Sequence, residues 1–154
     1  MNKSIAVIMI LCIITVSFGG CAGQAAGLQD GYYTAEATHF GADGWKEYIT
    51  IYVSDSKIIA VEYDAYNASG LVRSWDIKNM RAMKAAVGAY PNEYTRLYAQ
   101  SLVDLQDPAV LDMITGATYS GGLFLLLAEA VIEKAKAGDK HMALVESLTQ
   151  KEEK

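Results

Sequence analysis

Apolar and polar positions alternate one for one along three early segments. In "YYTAEATH", Tyr33, Ala35 and Ala37 alternate with Thr34, Glu36 and Thr38, the period-2 pattern of a half-buried strand. In "GWKEYITIYVS", Trp45, Ile49, Ile51 and Val53 point one way, and Lys46, Tyr48, Thr50 and Tyr52 the other. A turn at Asp55-Ser56-Lys57 leads into "IIAVEYDA", with Ile59, Val61 and Tyr63 assigned to the core face. Short connections make these segments an antiparallel meander.

The period then changes. Asp76 is placed to cap a helix on which Met80, Met83 and Val87 recur at helical spacing. Pro91 suits the first position of a second helix, striped by Tyr94, Leu97, Tyr98, Leu102 and Leu105. The run "AVLDMI" reads as a short strand. From about Tyr119 a third helix runs to Ala137, with Lys134 and Lys136 in its last turns and Gly138 as its stop. Strands grouped first and helices later predict an α+β domain, a β-meander packed against helices, over residues 31–140, with 141–154 as a C-terminal tail.

The amino terminus has a different character. A basic start at Lys3 and an apolar run from Ile5 to Phe18 are followed by Gly19, Gly20 and Cys21. The run is shorter than the ~20 apolar residues of a spanning helix and reads as a signal peptide over residues 1–20. Phe18-Gly19-Gly20-Cys21 resembles a bacterial lipobox, which implies that Cys21 receives diacylglycerol and becomes the new terminus. Phe18 departs from the aliphatic residue usual there. Residues 21–30 would be the lipidated cysteine and a short tether, reaching at most about 30 Å. Two acyl chains suffice for stable membrane anchoring. The alternative is ordinary cleavage that releases the domain.

Processing narrows the chemistry. The chain has two cysteines; Cys12 leaves with the signal and Cys21 carries lipid, so no free thiol or disulfide remains. His39 and His141 lie far apart without Cys or His neighbours, which argues against a transition-metal site. The formal net charge of −5 becomes more negative once Lys3 is lost, leaving no electrostatic reason to bind nucleic acid.

The candidate chemistry sits in "DMITGATYSGG", Asp112 to Gly122, ahead of the most apolar stretch of the mature chain. Gly116 and Ala117 remove bulk beside Thr118, so another molecule can approach the backbone there. A helix starting immediately afterwards presents N–H groups and the positive end of its dipole, which favours a phosphate. On local chemistry alone the alternative is that Thr115 or Thr118 is simply an N-cap, a far commoner feature than a phosphate site.

Asp112-x-x-Thr115-Gly116-Ala117-Thr118 matches the D-x-x-[S/T]-G-A-[S/T] pattern of the FMN-binding domain family. "DGYYTAEA", "GWKEYITIYVSDSKIIAVEYDAYNASG" and "SWD" extend the likeness to flavin-binding lipoproteins of extracellular electron transfer and to membrane-anchored lipoprotein immunogens. The resemblance runs from about Asp30 to Ala137. It implies FMN joined covalently to Thr118 by a phosphoester bond, installed by a separate flavin transferase that uses FAD and a divalent metal. It further implies that Thr115 positions the phosphate, that Gly116 and Ala117 give the transferase access, and that Asp112 occupies the motif's acidic position for recognition. The function so implied is a lipid-anchored electron carrier on the extracytoplasmic face of the cell membrane. It would accept electrons from a membrane dehydrogenase or quinol and pass them to an extracytoplasmic acceptor, acting as a relay rather than a stand-alone enzyme. The rival expectation is a surface lipoprotein that keeps the fold, carries no flavin and serves as a binding module.

Overall fold

The alternating segments form the expected meander: β1 (Gly31–Ala37), β2 (Trp45–Ser54) and β3 (Lys57–Asn67) are consecutive antiparallel strands. The structure, a computed structural model, describes residues 27–147; the signal peptide, Cys21 and most of the tether lie outside the described residues. Tyr33, Ala35 and Ala37 of β1 and Ile49, Ile51 and Val53 of β2 are all buried on one face. Asp55 and Ser56, both at positive φ (51° and 58°), make the tight link from β2 to β3, the two-residue geometry that matches strand twist.

The third strand departs from the simple alternation. Tyr52 faces Ala60, but Val53 faces Ile58, so Ile59 is the extra residue of a bulge. Ile58 therefore enters the core, while Ile59, expected inside, is 51% exposed. Gln106, at the carboxyl end of the second helix, clamps the bulge. Its side chain accepts from the Ile58 N–H (2.8 Å) and donates to the Ile58 carbonyl (2.7 Å), satisfying the backbone of this edge strand.

Three helices cover the apolar face: α1 (Ile77–Val87), α2 (Pro91–Leu105) and α3 (Thr118–Ala137). Their ends obey local rules. The Asp76 carboxylate accepts the Asn79 N–H (2.9 Å), Pro91 opens α2, and Gly138 closes α3 in the left-handed conformation. α3 lies across β1 and β2, and α2 packs on β3. Tyr63, Tyr98 and Phe124 join sheet, α2 and α3, with Tyr63 edge-on to Phe124 at 4.7 Å and Tyr98 stacked on it at 5.2 Å. On α2 the buried stripe is Tyr94, Thr95, Tyr98 and Leu102; Leu97 and Leu105, expected in it, are exposed because they lie off the narrow face that meets the sheet.

Two further corrections concern the ends of α3. "AVLDMI" is not a strand: Pro108–Val110 is a 3-10 turn capped by Asp107, and the chain beyond it is irregular. Its backbone is held by a side chain instead of a ladder, the Ile114 N–H donating to the Tyr98 hydroxyl (2.9 Å). The segment read as tail contains β4 (Ala143–Val145), which pairs parallel to β1 with Ala35 opposite Ala143. The fold is α+β, a mixed four-stranded sheet in the order β3-β2-β1-β4 under three helices. No helix among the described residues is long and apolar enough to cross a membrane.

Candidate functional site

α3 begins at Thr118, and no side chain caps it; the N-cap position is Ala117. Neither threonine of the motif is thus the helix cap that its residue type would suit. Thr118 is exposed in the first turn of the helix, where backbone N–H groups lack intrahelical partners. Gly116 has φ +81°, and a Cβ there would lie 3.0 Å from the Ala89 Cβ and 3.2 Å from the Val87 carbonyl. Its missing side chain lets the turn sit against the α1–α2 junction. Ala117 is buried at 5% exposure and faces the core.

Beside this turn opens a cavity of about 410 Å³, within the roughly 300–1,000 Å³ usual for small-molecule sites. Gly116 through Ser120 form one wall, Asn79 and Met83 of α1 another, and Tyr94 of α2 a third. Trp45 at the start of β2, with Asp43 and Arg73, completes the lining. The structure thus brings together Gly116, Ala117 and Thr118. Asp112 and Thr115 are exposed and do not line the cavity. Cys21 lies outside the described residues.

Beneath the cavity is a buried ion pair that the motif does not announce. Glu47, on the inward side of β2, is 4% exposed, and its Oε1 lies 3.2 Å from Arg73 Nη1. Ser120 Oγ of α3 donates to the same Oε1 at 3.0 Å, and the Tyr63 hydroxyl donates to Oε2. The Tyr63 oxygen is also 2.8 Å from the Ser120 carbonyl. Arg73 holds a second carboxylate, Asp43, and its guanidinium lies over the Trp45 ring at 5.3 Å. One network therefore ties β2, β3, the turn before α1 and the first turn of α3, fixing where Thr118 stands.

Local folding delivers Arg73. The Asn67 carboxamide accepts the N–H groups of Ser69 and Leu71 (3.0 Å each), folding the loop back so that Val72 bridges Tyr66. The Asp64 carboxylate accepts the Ser74 N–H at 3.2 Å, and Arg73–Trp75 closes as a 3-10 turn that directs Arg73 into the site.

Burial dominates the electrostatics. It raises the Glu47 carboxyl above its ordinary value, against the lowering pull of the Tyr63 hydrogen bond and of Arg73. For Arg73, burial opposes the charge, but Glu47, Tyr94 and Asp43 more than offset it and its pKa is raised. Desolvation also raises the Tyr94 and Tyr119 hydroxyls, so both stay protonated. With Arg73 committed to two carboxylates, an anion at the cavity would be met by the α3 amino terminus.

Glu47 and Arg73 were missed because they are 26 residues apart. One signal was available: Glu47 shares the parity of Trp45, Ile49, Ile51 and Val53, and a carboxylate at an inward position calls for a buried partner.

The fold and site define a small α+β domain with a lined cleft at the start of its last helix. No protein-family model matches the chain. It is 31% identical over 130 residues to the 15 kDa lipoprotein of Treponema pallidum (strain Nichols), across 84% of this chain and 90% of that one. The chain belongs to that lipoprotein family. A crystal structure of a Clostridium perfringens protein superposes with a TM-score of 0.75 at 33% identity, covering 77% of this chain and 98% of the other.

Proposed function

We propose that this domain carries FMN covalently on Thr118 and serves as a lipid-anchored electron carrier, held at the membrane through Cys21. The observation that carries the reading is the place of Thr118: an exposed hydroxyl on the first turn of an uncapped helix, at a ligand-sized cavity, in the sequence Asp-x-x-Thr-Gly-Ala-Thr. The arrangement suits the group. Exposed Thr118 Oγ1 is open to a transferase; it would displace AMP from the FMN phosphorus of FAD, the P–O–P bond breaking and the hydroxyl proton leaving to a base of that enzyme. The α3 N–H groups and dipole favour the phosphate next to that oxygen. Trp45, Met83, Tyr94 and Tyr119 offer aromatic and thioether surface for a flat ring system.

When bound, the flavin supplies the redox chemistry that a domain without thiols lacks. The chain's part is to hold it at a fixed site and to stay near the bilayer, between a membrane dehydrogenase or quinol and an extracytoplasmic acceptor. Asp112, exposed and off the cavity lining, is suited to recognition by the transferase. Thr115 does not line the cavity, so the phosphate is assigned to the Thr118 turn.

Intact mass spectrometry of protein coexpressed with a flavin transferase tests the attachment. The expected increment is one FMN minus one water, lost in Thr118→Ala. An unchanged mass with a transferase shown competent on another substrate would overturn the proposal and leave the flavin-free surface lipoprotein as the reading.

A further inference from the structure

α1 is unlike the other two long helices: none of its residues is buried. Its half-buried side, Asn79, Met80 and Met83, faces the domain, and Asn79 and Met83 line the cavity. By helical spacing the opposite side presents Ile77, Lys78, Arg81 and Ala85, all exposed, while Lys84 lies at its edge with its ammonium over the Tyr90 ring at 5.2 Å. Between residues 65 and 92 the sequence holds Arg73, Lys78, Arg81 and Lys84 against one acid, Asp76, in a chain where acidic residues outnumber basic ones 18 to 13. Asp76 is spent on the helix cap, and buried Arg73 on Glu47 and Asp43. Within α1 itself, Ile77–Val87, there is no acid, so the helix's outer charge is positive.

Large apolar side chains stand exposed on the same segment. Trp75, on the turn leading into α1, is 71% exposed, and Ile77 in the first turn of the helix is 48% exposed. A helix with a basic outer side, small residues between the cations and an exposed indole at one end has the composition of helices that lie in a bilayer interface. Tryptophan favours the headgroup level because its ring is apolar and its N–H polar.

We infer that α1 and Trp75 form a docking surface for an anionic phospholipid bilayer, with Lys78 and Arg81 at the headgroups and Trp75 and Ile77 in the interface. Acidic residues outnumber basic ones over the chain, so electrostatics favours an approach to such a bilayer by this face. Docking in this way sets the cavity directly behind the helix that meets the membrane. The contact stands on α1 itself; that it brings a flavin site to the bilayer rests on the function proposed above.

The test uses the unlipidated, flavin-free domain. Its core closes within the described residues, and the Clostridium perfringens structure, 98% of which aligns here, shows that such a domain stands alone. Co-sedimentation is measured with phosphatidylcholine vesicles with and without phosphatidylglycerol, at low and high salt, with polyglutamate as a non-lipid anion. Each Lys or Arg near an anionic surface is worth about 1 kcal/mol, or roughly five-fold in partitioning. Binding to the anionic vesicles is expected, falling with salt, and the Lys78→Gln/Arg81→Gln variant should bind on the order of 25-fold more weakly. A blue shift of emission on vesicle binding, absent in Trp75→Phe, places the indole in lipid. No anionic-vesicle binding, binding indifferent to the double substitution, or equal affinity for polyglutamate without the Trp75 shift would overturn the inference, the last in favour of an acidic protein partner. Because no flavin is present, none of these outcomes bears on the mass increment at Thr118.

Discussion

Replacing Arg73 with methionine removes the only cation from the buried network while filling much of its volume. Glu47 would remain 4% exposed, with only the hydroxyls of Ser120 and Tyr63 to stabilise its charge. Breaking a buried ion pair by deleting one partner costs about 3–5 kcal/mol, because the other charge stays desolvated. The lost contact to Asp43 adds little, since that carboxylate is half exposed. For a domain of this size the penalty corresponds to a fall in Tm of roughly 10–20 °C. The sign of the pH dependence follows from Glu47. Burial already raises its carboxyl in the native protein, so the folded state keeps the proton to higher pH than the unfolded chain. Its contribution to stability is fullest below the unfolded value and is lost as pH rises through the folded one. Without Arg73 the folded value rises further, and the deficit of Arg73→Met should widen from pH 5 to pH 8. Urea denaturation of the wild type, Arg73→Met, and Glu47→Gln/Arg73→Met at both pH values measures this. The double variant, whose neutral amide accepts from one of the Ser120 and Tyr63 hydroxyls through its oxygen and donates its NH2 to the other, should recover more than half of the loss. A single-variant cost below about 1 kcal/mol, or one equal at the two pH values, would refute the buried-pair argument.

Other positions give sharper local contrasts. Ile58→Ala should cost about 2–5 kcal/mol in chemical denaturation and Ile59→Ala under about 0.5; the reverse order would place the bulge wrongly. A Cβ at Gly121 would lie 2.6 Å from Met113 Sδ and against the Tyr98 hydroxyl, so Gly121→Ala should lower stability by about 1–3 kcal/mol. Thr118→Ala, at an exposed hydroxyl that caps nothing, should unfold within about 0.5 kcal/mol of wild type while losing the FMN mass increment. Thr115→Ala should keep both stability and increment; loss of the increment there, with retention in Thr118→Ala, would reassign the attachment oxygen.

Much of this architecture could be read from neighbouring residues. Strict alternation over Tyr33–Ala37 and Ile49–Val53 set which side of each strand is buried, and Asp76, Pro91 and Gly138 marked helix ends by side-chain chemistry acting within one turn. The motif Asp112 to Thr118 was equally visible, since its residues are contiguous.

What depended on distant parts of the chain was not. Ile59 points outward because β3 slips by one residue against β2, a choice made across the sheet and held by Gln106. Ala143–Val145 become a strand because β1 has an unpaired edge where α3 returns the chain; alone, three residues have no such preference. The cavity at Thr118 needs Trp45, Met83 and Tyr94 from three other elements, and the carboxylate beneath it needs an arginine 26 residues away. The sequence by itself determined most of the local elements and where the Thr118 hydroxyl stands in the chain. Tertiary structure alone decided what surrounds that hydroxyl, because desolvated charges and aromatic walls are produced by packing segments that share no local pattern.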